Sequence, residues 1–160
     1  MNPEKQQQYA ELVQQAEALI ASETDITANM ANLSSLIYWA LKDVNWAGFY
    51  LCKDEQLVLG PFHGKPACIR IPMGRGVCGT AAQENQIQVI KDVHEFAGHI
   101  SCDAASNSEI VLPIIKDGKV FAVLDLDSPS IARFDEQDKD GLAQLVKLFE
   151  KSLIVDEASK

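Results

Sequence analysis

EIVLPIIKDGKVFAVLDLD, residues 109–127, is the stretch that decides the fold. Two apolar runs flank Lys116-Asp117-Gly118-Lys119, and Asp117-Gly118 suits the paired positive φ values of a type I′ turn. The stretch therefore reads as a β-hairpin. In its second arm, alternation puts Phe121, Val123, Asp125 and Asp127 on one face, with Val120, Ala122, Leu124 and Leu126 on the other. Both faces begin apolar, so the arm is expected to be buried on both sides. Two aspartates then end on an apolar wall, where an unpaired carboxylate is costly. Either they close the strand through the Asp-Ser-Pro turn that follows, or they face a pocket, one of them with a raised pKa. Pairing Lys116 with Lys119 and continuing along the ladder puts Glu109 opposite Leu126, on the face away from Asp125. Glu109 joins the aspartates only if the hairpin carries a bulge, which Pro113 could mark, or if Glu109 sits just outside the ladder.

Outward from the hairpin, the elements alternate in type. Upstream, residues 91–107 read mostly as loop, and a loop this long inside a compact domain is usually functional. IQVI (87–90) and CIRI (68–71) read as short strands, with GRGVCGTAAQEN between them as a glycine-rich turn opening a short helix. NWAGFYLC (45–52) reads as an aromatic strand, LVLG (57–60) as its return after a charged turn, and GPFHGKPA as loop. Residues 4–22 carry Tyr9, Leu12, Val13, Ala16, Leu19 and Ile20 at helical spacing. A second stripe runs from Met30 to Leu41, with Thr24 or Asp25 as N-cap. Downstream, Asp135 caps a last helix over about 136–152, with Phe134 as a hydrophobic staple. The order predicts an α+β domain spanning 1–160. Helices lie at about 4–42, sheet and loops at about 45–130, and the terminal helices share one face of a central antiparallel sheet.

Bulk properties narrow the function. With 47% hydrophobic residues in 160, the chain can bury a core without disulfides or a metal. A net charge of −9 argues against nucleic acid and against an anionic membrane surface, both of which need Lys/Arg. No apolar run approaches the ~18–20 residues of a membrane span, and the polar N-terminus lacks the pattern of a secretory signal. The expected compartment is the cytoplasm, where thiols stay reduced.

Chemistry concentrates in residues 66–113, which hold Cys68, Cys78, Cys102, His94 and His99. No C-x-x-C or zinc-knuckle spacing occurs, so no metal is expected, although three cysteines and a histidine could in principle gather one. Cys52, in an aromatic strand, reads as an inert core thiol. Cys102, in the polar run HISCDAASNSE, suits a nucleophile with a resolving partner. Gly74-Arg75-Gly76 lacks the Walker lysine and reads as a tight turn. Trp46 and Tyr50 share a strand face, as aromatic core or as the wall of a small-ligand pocket.

GPFHGKPACIRIPMGRGVCGTAA (60–82), DVHEFAGHISCDAASNSEIVLPI (92–114) and AVLDLDSPSIARFDEQD (122–138) together resemble the free methionine-(R)-sulfoxide reductases, enzymes of GAF fold. The resemblance extends from about Trp46 to Leu148. It implies Cys102 as nucleophile, Cys68 as resolving thiol and Cys78 as auxiliary cysteine. It implies that Glu109, Asp125 and Asp127 hold the substrate amino group and act on the sulfoxide oxygen, with Trp46 and Tyr50 around the methyl end. It also implies thioredoxin as electron donor, fed by NADPH through thioredoxin reductase, no bound cofactor, and a homodimer built on the terminal helices. The competing expectation is a non-catalytic GAF module that senses a small molecule or an oxidant through the same cysteines.

Overall fold

The computed structural model describes residues 1–99 and 105–158. Its described elements follow in the order α1 (Pro3–Ile20), α2 (Ile26–Ala40), β1 (Trp46–Lys53), β2 (Gln56–Gly64), β3 (Arg70–Pro72), α3 (Gly76–Glu84), β4 (Gln88–Ile90), a single 3-10 turn (Val93–Glu95), β5 (Ser108–Lys116), β6 (Lys119–Ser128) and α4 (Glu136–Ala158). The strands form one antiparallel sheet in the order β3-β2-β1-β6-β5-β4. The α+β reading therefore holds, as does the placing of the terminal helices. α1 packs on α4, and α2 and α4 lie on β1, β2 and β5, sharing one apolar core with Phe49, Ile110, Leu112, Ile114, Leu124 and Leu126. α3 covers the other face, where a smaller cluster gathers Trp46, Tyr50, Cys78, Val111 and Val123. The sheet thus separates a helical core from a second, polar-lined chamber.

Local chemistry sets the boundaries. Asn2 caps α1 by accepting from the amides of Glu4 and Lys5, and Asp25 caps α2 by accepting from Ala28. At the start of α4, Asp138 N–H donates to the Asp135 carboxylate while Asp135 N–H donates back to Asp138, a reciprocal cap. α4 runs past the expected end at 152 because Leu153, fully buried, continues its apolar face. The Asp138 carboxylate, itself fully buried, also accepts from Tyr9 Oη at 2.7 Å, Lys5 Nζ at 2.6 Å and Arg133 Nη1 at 3.3 Å, which ties α1 to α4.

Two strands depart from the expected pattern. β2 continues to Gly64 through what reads as loop. β3 pairs only Gln56 to Val58, so beyond that point β2 is an edge. Its register against β1 also slips between Gly48 and Tyr50, so Pro61 sits at a bulge, one of the few places a strand accepts proline. In the hairpin, Asp117 and Gly118 take φ of 54° and 76° and Lys116 pairs with Lys119, as expected. The ladder then shifts between Ile114 and Ile115, because Ile115 faces Val120 while Ile114 faces Ala122. Phe121 is the extra residue. It turns to the helical core beside Ala122, and Val120 goes to the chamber side, so the alternation expected for these two residues is reversed. Pro113 lies inside the regular ladder opposite Val123, beyond the span that β4 pairs, and does not make the bulge.

α4 crosses α1 closely at Gly141, where a β-carbon would fall 2.3 Å from the Tyr9 ring. Gly141→Ala gains helix propensity but must push that ring off the Asp138 carboxylate. Urea unfolding is expected to show a loss of about 1–3 kcal/mol. An unchanged or higher midpoint would mean that the ring yields without cost.

Candidate active site

The chamber opens between α3 and the β1–β6–β5 part of the sheet, and Trp46, Tyr50, Cys78, Glu109, Asp125 and Asp127 all line it. One wall is aromatic. Trp46 stacks on Tyr50 at 5.9 Å and on Phe62 at 5.1 Å, an arrangement reached because β1 and β2 carry these rings on one face. The polar tips are tied back: Trp46 Nε1 donates to the Lys65 carbonyl, and Tyr50 Oη donates to the Cys68 carbonyl. That leaves the ring faces to the chamber and anchors the loop that carries Cys68.

Beside this aromatic wall, on the same sheet face, the neighbouring strands β6 and β5 are acidic. The Phe121 bulge brings Glu109 opposite Asp127 and Val111 opposite Asp125, so the three carboxylates share the chamber face. Glu109 and Asp125 are 7% and 4% exposed, and no hydrogen bond reaches Asp125 Oδ1. Desolvation raises the pKa of Glu109 well above the carboxylate range, with the charge of Asp125 adding to it. Desolvation likewise raises Asp125, with Asp127 adding. Like charges this close in an apolar surround do not both ionise, so the set retains a proton at neutral pH. The Cys78 thiol of α3 points at this set, with Sγ 3.8 Å from Glu109 Oε2, and burial followed by the charge of Asp125 pushes its pKa well up. It is a protonated thiol, unlike the thiolate of a reactive cysteine.

Cys68 is disulfide-bonded, whereas Cys52 and Cys78 are free. Cys52 is half-buried on the chamber side of the sheet and lines none of the site. Cys102, expected as nucleophile, lies outside the described residues. Two ionisable lining residues, Arg75 and His99, were given no site role in the sequence. Arg75 precedes α3, in the Gly-Arg-Gly turn, and His99 Nε2 stands 4.0 Å from Glu109 Oε1. Burial, then the charge of His94, lowers the His99 pKa, so it is a neutral neighbour and not a countercharge near pH 7. Both lie in the cysteine- and glycine-dense stretch, which was the available signal.

The GAF domain model matches residues 27–150. The free methionine-R-sulfoxide reductase of Escherichia coli strain K12 is 56% identical over 152 residues, covering 95% of this chain and 92% of that protein. The chain belongs to the free methionine-R-sulfoxide reductase family. Among solved structures of that family, the free methionine-R-sulfoxide reductase of Neisseria meningitidis, in complex with its substrate, superposes with a TM-score of 0.94 at 41% identity, over 100% of this chain and 96% of that one. The reduced form of fRMsr from Staphylococcus aureus gives 0.89 at 52% identity, over 91% and 94%. Among the described residues, no helix of this family member is long and apolar enough to cross a membrane.

Proposed function

We propose that this chain reduces free methionine-(R)-sulfoxide to methionine, with Cys102 as nucleophile and thioredoxin as reductant. The observation that carries the reading is the buried Glu109–Asp125 pair, holding a proton beside an aromatic wall. A sulfoxide is a poor electrophile until its oxygen is protonated or strongly hydrogen-bonded, and a neutral carboxylic acid in an apolar chamber does this at pH 7. The Cys102 thiolate attacks sulfur as the S–O bond breaks. The oxygen leaves as water after taking two protons, which leaves Cys102 Sγ bonded to the substrate sulfur as a thiosulfonium. The thioether departs when that Cys102 Sγ is attacked by a second water, giving the sulfenic acid, or by the Cys68 thiol. Cys102 passes through a sulfenic acid, or directly, to a disulfide with Cys68, so two thiols give up the two electrons that the sulfoxide gains. The disulfide-bonded state of Cys68 and the tie from Tyr50 to its carbonyl support its part as resolving thiol. Thioredoxin, recharged by NADPH through thioredoxin reductase, restores both thiols by exchange.

The remaining ionised carboxylate, with Asp127, binds the substrate ammonium, and the methyl end rests on Trp46 and Tyr50. A methionine sulfoxide within a peptide lacks that ammonium and would leave buried acids unpaired. Cys78 is auxiliary: its protonated, buried thiol shapes the acid set and does not attack. The protein works in the cytoplasm as a homodimer built on its terminal helices. NADPH oxidation, coupled through thioredoxin and its reductase, tests the reading with free methionine-(R)-sulfoxide, the S epimer and an N-acetylated R substrate side by side. Turnover of the free R form alone is expected. Equal turnover of the acetylated form would remove the role given to the acids. No turnover of any would favour a GAF sensor that uses the same cysteines.

A further inference from the structure

The acid wall offers more than a grip on an amine. Cys78 Sγ, a Glu109 oxygen and an Asp125 oxygen all lie within 4.8 Å of one another, and each residue is buried. They come from three elements, α3, β5 and β6, so a rigid scaffold and not a flexible loop sets their spacing. A tetrahedral zinc ion with ligands at about 2.0–2.3 Å holds its donor atoms about 3.3–3.8 Å apart. The Cys78 Sγ–Glu109 Oε2 separation is 3.8 Å, at the upper end of that range. Independently of this spacing, Asp125 Oδ1 is buried in the same chamber without a hydrogen-bond partner. A buried carboxylate oxygen with no donor of its own, beside a thiol, is satisfied by a retained proton or by a cationic ligand that displaces it. His99 Nε2 stands 4.0 Å from Glu109 Oε1 but lies outside this set of mutually close donors.

We propose that Cys78, Glu109 and Asp125 form a three-ligand binding site for a borderline divalent cation of the zinc class, with the fourth position left open. The donor set of one sulfur and two carboxylates suits zinc or cobalt and disfavours magnesium and calcium, which take oxygen alone. Binding releases the thiol proton, so affinity rises with pH. The ion takes the space given above to the substrate ammonium, so metal and amino acid exclude each other. The site itself stands on the chamber geometry and not on the reductase reading.

Cobalt(II) is the probe, titrated into the full-length protein prepared without reductant. With Cys68 held in its disulfide, Cys78 and Cys52 are the free thiols among the described residues. A thiolate-to-cobalt charge-transfer band is expected to saturate at one equivalent and to be discharged by zinc. It should persist in Cys52→Ser and vanish in Cys78→Ser. Asp125→Asn, which keeps the thiol and the side-chain volume, should weaken binding at least about tenfold. Circular dichroism confirms that each variant is folded. Absence of the band from the parent protein, its survival in Cys78→Ser, or unchanged affinity in Asp125→Asn would each overturn the site.

Discussion

Asp125→Asn is expected to lower kcat for free methionine-(R)-sulfoxide by about 10²–10⁴-fold, the usual worth of a positioned general acid. The amide fills the same space and can donate a hydrogen bond, but it cannot surrender a proton to the departing oxygen. KM should change less than kcat, because Glu109 and Asp127 still face the ammonium. In the parent, burial and the Asp127 charge raise the Asp125 pKa. The protonated form is the active one, so kcat should fall as pH rises through that raised value, and the variant should lose this limb. Stability should move the other way. A carboxyl whose folded pKa lies above its unfolded value of about 4 binds its proton more tightly when folded. Stability therefore declines as pH rises from about 4 through the folded pKa, and at neutral pH the group is a burden. Removing it should raise Tm at pH 8 by about 2–4 °C while leaving Tm at pH 4 nearly unchanged. A variant with kcat within about threefold of the parent would take the acid role away from Asp125.

Cys102→Ser is expected to abolish turnover, with a loss on the order of 10³-fold or more, because a serine hydroxyl neither reaches the thiolate state at neutral pH nor forms a disulfide. Its comparison with Cys68→Ser separates the two thiol roles. Without the resolving thiol, attack still proceeds once: one methionine per chain forms rapidly, then turnover stalls with Cys102 oxidised. Quenched-flow counting of methionine reads the difference directly, none for Cys102→Ser and a burst of one for Cys68→Ser. Full thioredoxin-dependent turnover by Cys102→Ser would rule out the assigned nucleophile, and a missing burst in a folded Cys68→Ser would rule out the order of events.

Strong local signals carried much of the fold and some of the site. The helices followed from stripes such as Tyr9, Leu12, Ala16 and Ile20, all buried as their spacing requires. The Asp117-Gly118 turn formed with its expected pairing. Trp46 and Tyr50 were legible as one face because a strand alternates. What could not be read was register. Nothing in KVFAV says that Phe121 is passed over, and Pro113, the more conspicuous residue, sits quietly in the ladder. The continuation of β2 through Pro61 was hidden for the same reason, since a proline is excluded where a strand is paired on both sides and tolerated at an edge or bulge, and which of these it meets depends on neighbours far along the chain. The gathering of Cys78, Glu109 and Asp125 left no spacing motif because the three arrive on separate elements.

The extra residue at Phe121 also limits how the length of this hairpin can change through evolution. A strand has two sides and side chains take them in turn, so one inserted residue acts on everything beyond it as a change of parity. Phe121 supplies the single odd step between Glu109 and Asp127 that makes acids from both arms meet in the chamber. A lone insertion or deletion between them keeps both acids in the chamber only if the turn or a bulge absorbs it; spread instead through the ladder as a shift of register, it faces one arm's acid into the helical core. The turn and the Phe121 step are therefore where the length of this hairpin can change without cost to the chamber.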